Sequence, residues 1–380
     1  MIENALIAIG FVMALDGAVE CPESESYCIL DTEIPAEVLA EQLQGLDETY
    51  WVEGNTLFAA ARRESESVFF CCAVQTSMRR AGDSDYWYVA VEVPRISEAI
   101  LDIFPIPFDL PGRRQPFQPL EYWGPDAPPR VDRNPVTEIH VTDQAIDSES
   151  LNAIRQISIY EPPELAGSEN HPVVFLADGQ GTGVFAAIAQ SLIEACRIEP
   201  VLLVGLWHGN VEGEHYPGNA SDPRSHDYLW GVDGGHFEQY EAFFLNDVMP
   251  LVERRYNASD EPSRRALFGN SSGGAWALST GLRNPETFGT IAAASTVWRR
   301  SINAAPPTEG PRYIFTTGLL DQRAQTALDD IMTGFAETGA DHESRTLVAG
   351  HSPLVAYRAF ADLLLSEFPA AEDAGCGPDE

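Results

Sequence analysis

Gly269-Asn270-Ser271-Ser272-Gly273-Gly274 is the stretch that decides how this chain folds. Arg264-Arg265-Ala266-Leu267-Phe268 before it reads as a short buried strand, and Ala275-Trp276-Ala277-Leu278 after it opens a helical apolar pattern. A strand that turns directly into a helix brings backbone against backbone. Gly269 and Gly273, two residues either side of Ser271, stand where a β-carbon would not fit. Ser271 is then exposed at the tip of the turn. The Ser272 amide, at the helix N-terminus, faces any negative charge that develops there. Ala277-Leu278-Ser279-Thr280-Gly281 nearly repeats the pattern but falls inside the helix.

A serine hydroxyl alone is a weak nucleophile and needs a base with an orienting acid. Downstream, Phe288–Ala294, Tyr313–Thr317 and Ser344–Val348 read as strands, with a helix from Gln322 to about Thr338. Asp321 comes just past the second of these strands, and His351 directly follows the third. The order is Ser, Asp, His, at spacings of 50 and 30 residues, which leaves one or two strand–helix units between members. Asp329 and Asp330 are rivals for the acid but fall on the helix. His342 precedes the last strand and falls at the wrong end of the sheet.

That order is the one found in α/β-hydrolases. Arg155–Pro163, Val173–Gln180, Pro200–Leu206, Asp222–Leu229 and Gly350-His351 extend the likeness. Residues 136–368 resemble the esterase family of α/β-hydrolases that takes in enterochelin esterases, S-formylglutathione hydrolases, feruloyl esterases and mycobacterial mycolyltransferases. The nearest likeness is to enterochelin-esterase-like hydrolases with an extra N-terminal domain. The fold so implied is α/β: a mostly parallel central sheet with helices on both faces, preceded by a small β-sandwich. By the same resemblance the oxyanion-hole amides belong to Gln180 and Ser272, each such donor being worth about 3–4 kcal/mol. The family's Arg and Glu, three residues apart in the loop after the fourth strand, correspond here to Arg224 and Asp227.

The implied chemistry is hydrolysis of a small-molecule ester through an acyl-enzyme, with Ser271 as nucleophile, His351 as base and Asp321 as orienting acid. No cofactor is implied. The chain has no H-E-x-x-H and no Cys pairs at zinc spacing, and His208 and His215 with Glu212 and Glu214 read as a solvated loop. Trp298 and Arg299 follow the strand after the elbow, where the family lines its pocket. Arg224 is a further candidate to meet an anionic substrate, and Trp207 a candidate wall of the cleft. An acyltransferase with the same triad, and a non-catalytic binding protein on the same fold, are the alternative functions.

The chain has 380 residues with 58 acidic against 23 basic, a formal charge of −35, and every basic residue is Arg. Such a field repels nucleic acid and anionic membranes, so neither is an expected partner. It also sets the folded chain against itself, which points to a saline environment, while the loss of Lys fits a GC-rich genome equally. Six cysteines show no C-x-x-C spacing. Cys21 and Cys28 form a disulfide if the protein is exported, and Cys196 reads as a core residue of a helix over Ala187–Arg197. Ala5–Leu15 is an apolar run of leader length, but no positive charge precedes it and Asp16 and Glu20 spoil a cleavage site. The cytoplasm is slightly favoured on that ground over export.

A short helix over residues 34–45 and strands at Thr56–Ala61, Ser67–Thr76, Tyr86–Val93 and Ala99–Phe108 predict an N-terminal β-rich domain, residues 1–125. Analogy with enterochelin esterases makes it immunoglobulin-like, a module that binds carbohydrate, narrows the active-site mouth or mediates a homodimer; a structural cap without ligand is the alternative. Pro111–Pro135 is Pro-rich, with a linker at 126–135. The hydrolase domain then takes residues 136–368, and 369–380 form an acidic, disordered tail.

Overall fold

The computed structural model describes residues 21–22, 24–107, 119–209, 222–296 and 306–371. It divides into two compact units. One comprises the chain to Cys71 with Gln75–Ser97 and Ile103–Leu120. The other comprises Glu121 onward together with two short upstream stretches, Cys72–Val74 and Glu98–Asp102. The leader-like run, most of the Pro-rich stretch before Leu120 and the acidic tail from Glu372 lie outside the described residues.

The first unit is β-rich. Strands β1 (Cys28–Ile29), β2 (Glu48–Glu53), β3 (Thr56–Arg62), β4 (Val68–Cys72, its last residue belonging to the other unit), β5 (Thr76–Ser77), β6 (Arg79–Arg80), β7 (Tyr86–Glu92) and β8 (Ile100–Pro107, its residues up to Asp102 belonging to the other unit) accompany one helix, α1 (Ala36–Leu43). All four strands expected from the sequence form, and Ser67–Thr76 breaks into β4 and the start of β5. Five of the eight build an antiparallel sheet, β1-β7-β3-β2 with β6 on β7. β3 is buried from Thr56 to Ala61, so its apolar run has no polar alternation. Leu39 and Leu43 of α1 pack on Phe58, Ala60, Tyr88 and Ala90 from one face of that sheet. β2 has no counterpart among the expected strands. It is the hairpin partner of β3 through Gly54-Asn55, where Gly54 sits at φ +58°. Cys21 and Cys28 are disulfide-bonded, with Cα atoms 5.6 Å apart.

The second unit contains β9 (Leu120–Trp123) and an eight-stranded sheet. Its strands are β10 (Thr142–Ser148), β11 (Ala153–Tyr160), β12 (Val173–Leu176), β13 (Leu202–Leu206), β14 (Arg265–Asn270), β15 (Thr290–Ala294), β16 (Arg312–Gly318) and β17 (His342–Leu347). Their order is β10-β11-β13-β12-β14-β15-β16-β17. β10 and β11 pair antiparallel, as do β11 and β13, and every pairing from β13 to β17 is parallel. Parallel strands need crossovers, and here these are α2 (Thr182–Glu194), α3 (Pro223–Tyr228), α4 (Gly234–Ala242), α5 (Met249–Tyr256), α6 (Ser272–Arg283) and α7 (Gln322–Thr338), with α8 (Pro353–Glu367) following β17.

Because the sheet is covered on both sides, β12 to β15 read as nearly unbroken apolar runs. Side chains alternate between two cores. Val173, Phe175, Leu202, Val204, Leu267, Ile291 and Phe315 pack with Phe243, Phe244 and Trp276 on one face. Val174, Leu176, Leu203, Phe268, Ala292 and Ile314 pack with Phe185, Ile188, Phe360 and Leu364 of α2 and α8 on the other. One expectation fails here. α2 ends at Glu194, and Cys196 lies beyond it, half-buried, at φ +54° and disulfide-bonded, so it is not a core residue of a helix.

Candidate active site

The strand-to-helix turn between β14 and α6 is as tight as its glycines imply. A β-carbon on Gly269 would lie 2.0 Å from the Gly273 carbonyl oxygen, and one on Gly273 would lie 2.7 Å from Ala177 Cβ. Ser271 takes φ +58° and ψ −121°, a conformation that L-residues rarely adopt. Two backbone bonds hold it there. Its amide donates to Ala294 O on β15 (2.8 Å), and its carbonyl accepts from Ala275 N (3.1 Å). The strain sits at one residue, which is where a side chain must be presented outward.

Asp321 and His351 reach the same place from neighbouring strands. Asp321 follows β16 and caps α7, with Oδ1 accepting from the Ala324 amide (3.2 Å). Oδ2 lies 2.5 Å from His351 Nδ1, and His351 Nε2 lies 3.1 Å from Ser271 Oγ. The serine, the imidazole and the carboxylate thus form one hydrogen-bonded line. The carboxylate is 7% exposed and the imidazole 24% exposed, so one end of the line is dry and the other open. A buried carboxylate facing Nδ1 fixes the tautomer that leaves Nε2 free to accept from the serine. Asp329 and Asp330 are exposed on α7, and His342 begins β17 with Nδ1 against Ala340 O (2.8 Å), at the far end of the strand from His351.

Beside Ser271 lies the end of β12. Asp178 adopts φ +57°, and the chain makes one tight turn over Gly179–Gly181 into α2. Neither the Gln180 nor the Ser272 backbone amide has a hydrogen-bond acceptor among the described residues. Gln180's side chain is turned away, donating to His208 O (3.1 Å). The Asp178 amide donates to Tyr228 Oη (2.7 Å), which in turn donates to Leu206 O (3.2 Å). Complete burial pushes the Tyr228 hydroxyl well above its usual pKa, so it acts as a fixed neutral dipole.

Two expected substrate contacts have other work. Arg224 points Nε and Nη2 at the two oxygens of Asp178 (2.6 and 2.8 Å), and Nη2 also donates to Asn270 O (3.1 Å). Burial opposes its charge, but the Asp178 carboxylate outweighs that and raises its pKa. Trp207 donates from Nε1 to Ser158 Oγ (2.7 Å), and its Cδ1 would lie 2.7 Å from a β-carbon on Gly179. Arg224 and Asp227, three residues apart, take different partners. Asp227 accepts from Arg155 (2.8 and 3.2 Å) and Gly209 N (2.6 Å), with His236 Nε2 at 2.7 Å. A three-residue spacing does not reveal that each side chain has a different partner, brought to it by a different strand. Trp298 and Arg299 lie outside the described residues, as do Glu212, Glu214 and His215. No group of His, Cys, Asp or Glu that could hold a metal ion occurs among the described residues.

Residues 148–327 match the family described as "Putative esterase". That match covers just under half of the chain, and together with the fold it makes the protein similar to esterase-type α/β-hydrolases. The enterobactin esterase from Shigella flexneri, crystallised in the presence of enterobactin, superposes with a TM-score of 0.63 at 17% identity, over 85% of this chain and 96% of that one. Ferric enterobactin esterase from Salmonella typhimurium does so at 0.60 and 15% identity, over 87% and 98%. The uncharacterised protein YbbA of Bacillus subtilis is 28% identical over 152 residues, which span 39% of this chain and 59% of that protein.

Proposed function

We propose that the protein is a serine esterase that cleaves small-molecule esters through a covalent acyl-enzyme. His351 accepts the Ser271 proton as Oγ attacks the ester carbonyl, and the Gln180 and Ser272 amides receive the oxyanion. The imidazolium then protonates the departing alkoxide, which leaves as alcohol. Water enters, loses a proton to His351 and attacks the acyl carbon. Collapse of the second tetrahedral species frees the acid and returns the proton to Ser271. Asp321 remains ionised throughout and balances the imidazolium. The observation that carries this reading is the single line from Ser271 Oγ through His351 to Asp321, at 3.1 and 2.5 Å.

The solved relatives are named enterobactin esterases, and the substrate class taken here is the broader one of small-molecule esters. The test is a serine-reactive phosphonate with mass mapping, run beside a panel of p-nitrophenyl esters of increasing acyl length. Labelling confined to Ser271, with turnover of the short acyl esters, is expected. Labelling without hydrolysis, but with acyl transfer to added alcohols, would make the protein an acyltransferase. Absence of labelling would leave a binding protein and end the catalytic reading.

A further inference from the structure

Residues Glu98–Asp102 belong to the hydrolase unit although they precede the stretch that matches the esterase family. Ile100 N donates to Val348 O (2.9 Å), so this segment runs beside the chain that carries His351. Ala73 N donates to Asp102 O (3.0 Å), and Gly350 lies hard against the same place. A β-carbon on Gly350 would come within 2.0 Å of the carbonyl oxygens of both Cys72 and Ala73. Ile100, Ala349, Leu354 and Val355 close over the contact as a buried apolar cluster.

Inside it is a carboxylate. Asp102 is 1% exposed and accepts a hydrogen bond from the hydroxyl of Ser352, itself 2% exposed. Ser352 is the residue after His351, and its Oγ also caps α8 by accepting from Leu354 N (3.0 Å). The other groups whose charge or hydroxyl bears on Asp102 are Glu121, Arg133 and Tyr357. Burying a carboxylate beside an apolar cluster is unfavourable, and a packed apolar residue would hold the same elements together with less loss of solvation. A directional acceptor is needed only if the orientation of Ser352 matters.

We propose that Asp102 is a positioning residue for the catalytic histidine, fixing Ser352 and with it the backbone from which His351 reaches Ser271 and Asp321. The opposite side of that backbone is already held by the chain leaving β16, where Leu319 N donates to Leu347 O (2.7 Å) and Leu320 N to Ala349 O (2.9 Å). Asp102 holds the remaining side. This inference rests on the triad reading. Labelling of the unsubstituted protein at Ser271 tests that reading separately, so the two can fail independently.

The experiment compares Asp102→Ala, Asp102→Asn, Ser352→Ala and the Asp102→Ala/Ser352→Ala pair on a p-nitrophenyl ester, with kcat expressed per phosphonate-titrated site. Asp102→Ala is expected to lower kcat by about 10- to 100-fold while KM changes little, as for a misplaced catalytic group. Asp102→Asn keeps an acceptor oxygen and recovers most of the loss. The double variant is no slower than the worse single, because both remove one hydrogen bond. The low-field proton resonance of His351 Nδ1–H should broaden in Asp102→Ala, which a merely stabilising residue would not cause. Should Asp102→Ala not fold, Ser352→Ala and Asp102→Asn decide the matter: a slow Ser352→Ala beside a near-normal Asp102→Asn supports the inference. Unchanged kcat in the folded variants, or losses that multiply in the double variant, overturns it.

Discussion

Arg224 grips both carboxylate oxygens of Asp178, at 2.6 and 2.8 Å, and with the same guanidinium reaches Asn270 O at 3.1 Å. Asp178 stands two residues before Gln180, and Asn270 immediately precedes Ser271. One side chain therefore ties together the two strand ends from which Gln180 and Ser271 emerge. Gly273 makes room for it, since a β-carbon there would lie 2.9 Å from Asp178 Oδ2.

Arg224→Ala is accordingly expected to lower kcat by about 100-fold, the loss typical of one oxyanion donor, with KM little changed. Arg224→Lys recovers only part, because an ammonium cannot reproduce the planar two-pronged contact. Steady-state kinetics on a neutral ester checks this. A rise in KM with kcat intact would return Arg224 to the role of a substrate contact.

The three residues in line should behave as one device. Ser271→Ala and His351→Ala are each expected to cut kcat by about 10⁶-fold, and their combination to cost no more than either alone. Single-turnover assays at high enzyme concentration can measure the residual rate. If the two losses multiplied, the hydroxyl and the imidazole would be acting independently.

How much of this structure is legible in the sequence depends on the distance over which each cause acts. The elbow is legible because its glycines, strand and helix lie within about fifteen residues. α7 forms over Gln322–Thr338, where its apolar period places it, and Asp321 and His351 follow from strand ends. β2 is not legible because Glu48–Val52 is half-buried without alternation. The partners of Arg224 are hidden for another reason. Asp178 and Asn270 each lie 46 residues away, in opposite directions along the chain, and only the parallel pairing of β12 with β14 brings them together. Asp102 is separated from Ser352 by 250 residues, and no local pattern could join them.

The disulfides carry a prediction about compartment. Cys21 is bonded to Cys28, and Cys71, Cys72 and Cys196 are disulfide-bonded as well. Bonds of this kind persist where the surroundings are oxidising. Protein made in an oxidising compartment should show none of these thiols reacting with a maleimide before reduction, and a peptide map should link Cys21 to Cys28. Finding these thiols free in protein taken from its native host would favour the cytoplasm.

A formal charge of −35 predicts that salt stabilises the folded chain. Added ions shorten the Debye length from ~30 Å at 0.01 M to ~3 Å at 1 M, and so weaken repulsion among surface carboxylates. The thermal midpoint should therefore rise from low to molar NaCl. A flat or falling midpoint would show that the acidic surface is not limiting stability.

Asp102 sets position against stability. Burial lifts its carboxyl from 3.8 to about 6, with the Ser352 hydrogen bond working the other way. A raised folded-state pKa means that the folded chain holds this proton more tightly than the unfolded chain does. The associated stability is fully present below about pH 4 and is lost as pH rises through about 6. Above that, the ionised form costs about 3 kcal/mol. Asp102→Asn removes the charge and keeps the acceptor, so it should melt above the unsubstituted protein at pH 8 and converge with it near pH 4. Melting curves across that range decide the point. A variant that melts lower at pH 8 would show that the hydrogen bonds to the carboxylate outweigh its desolvation.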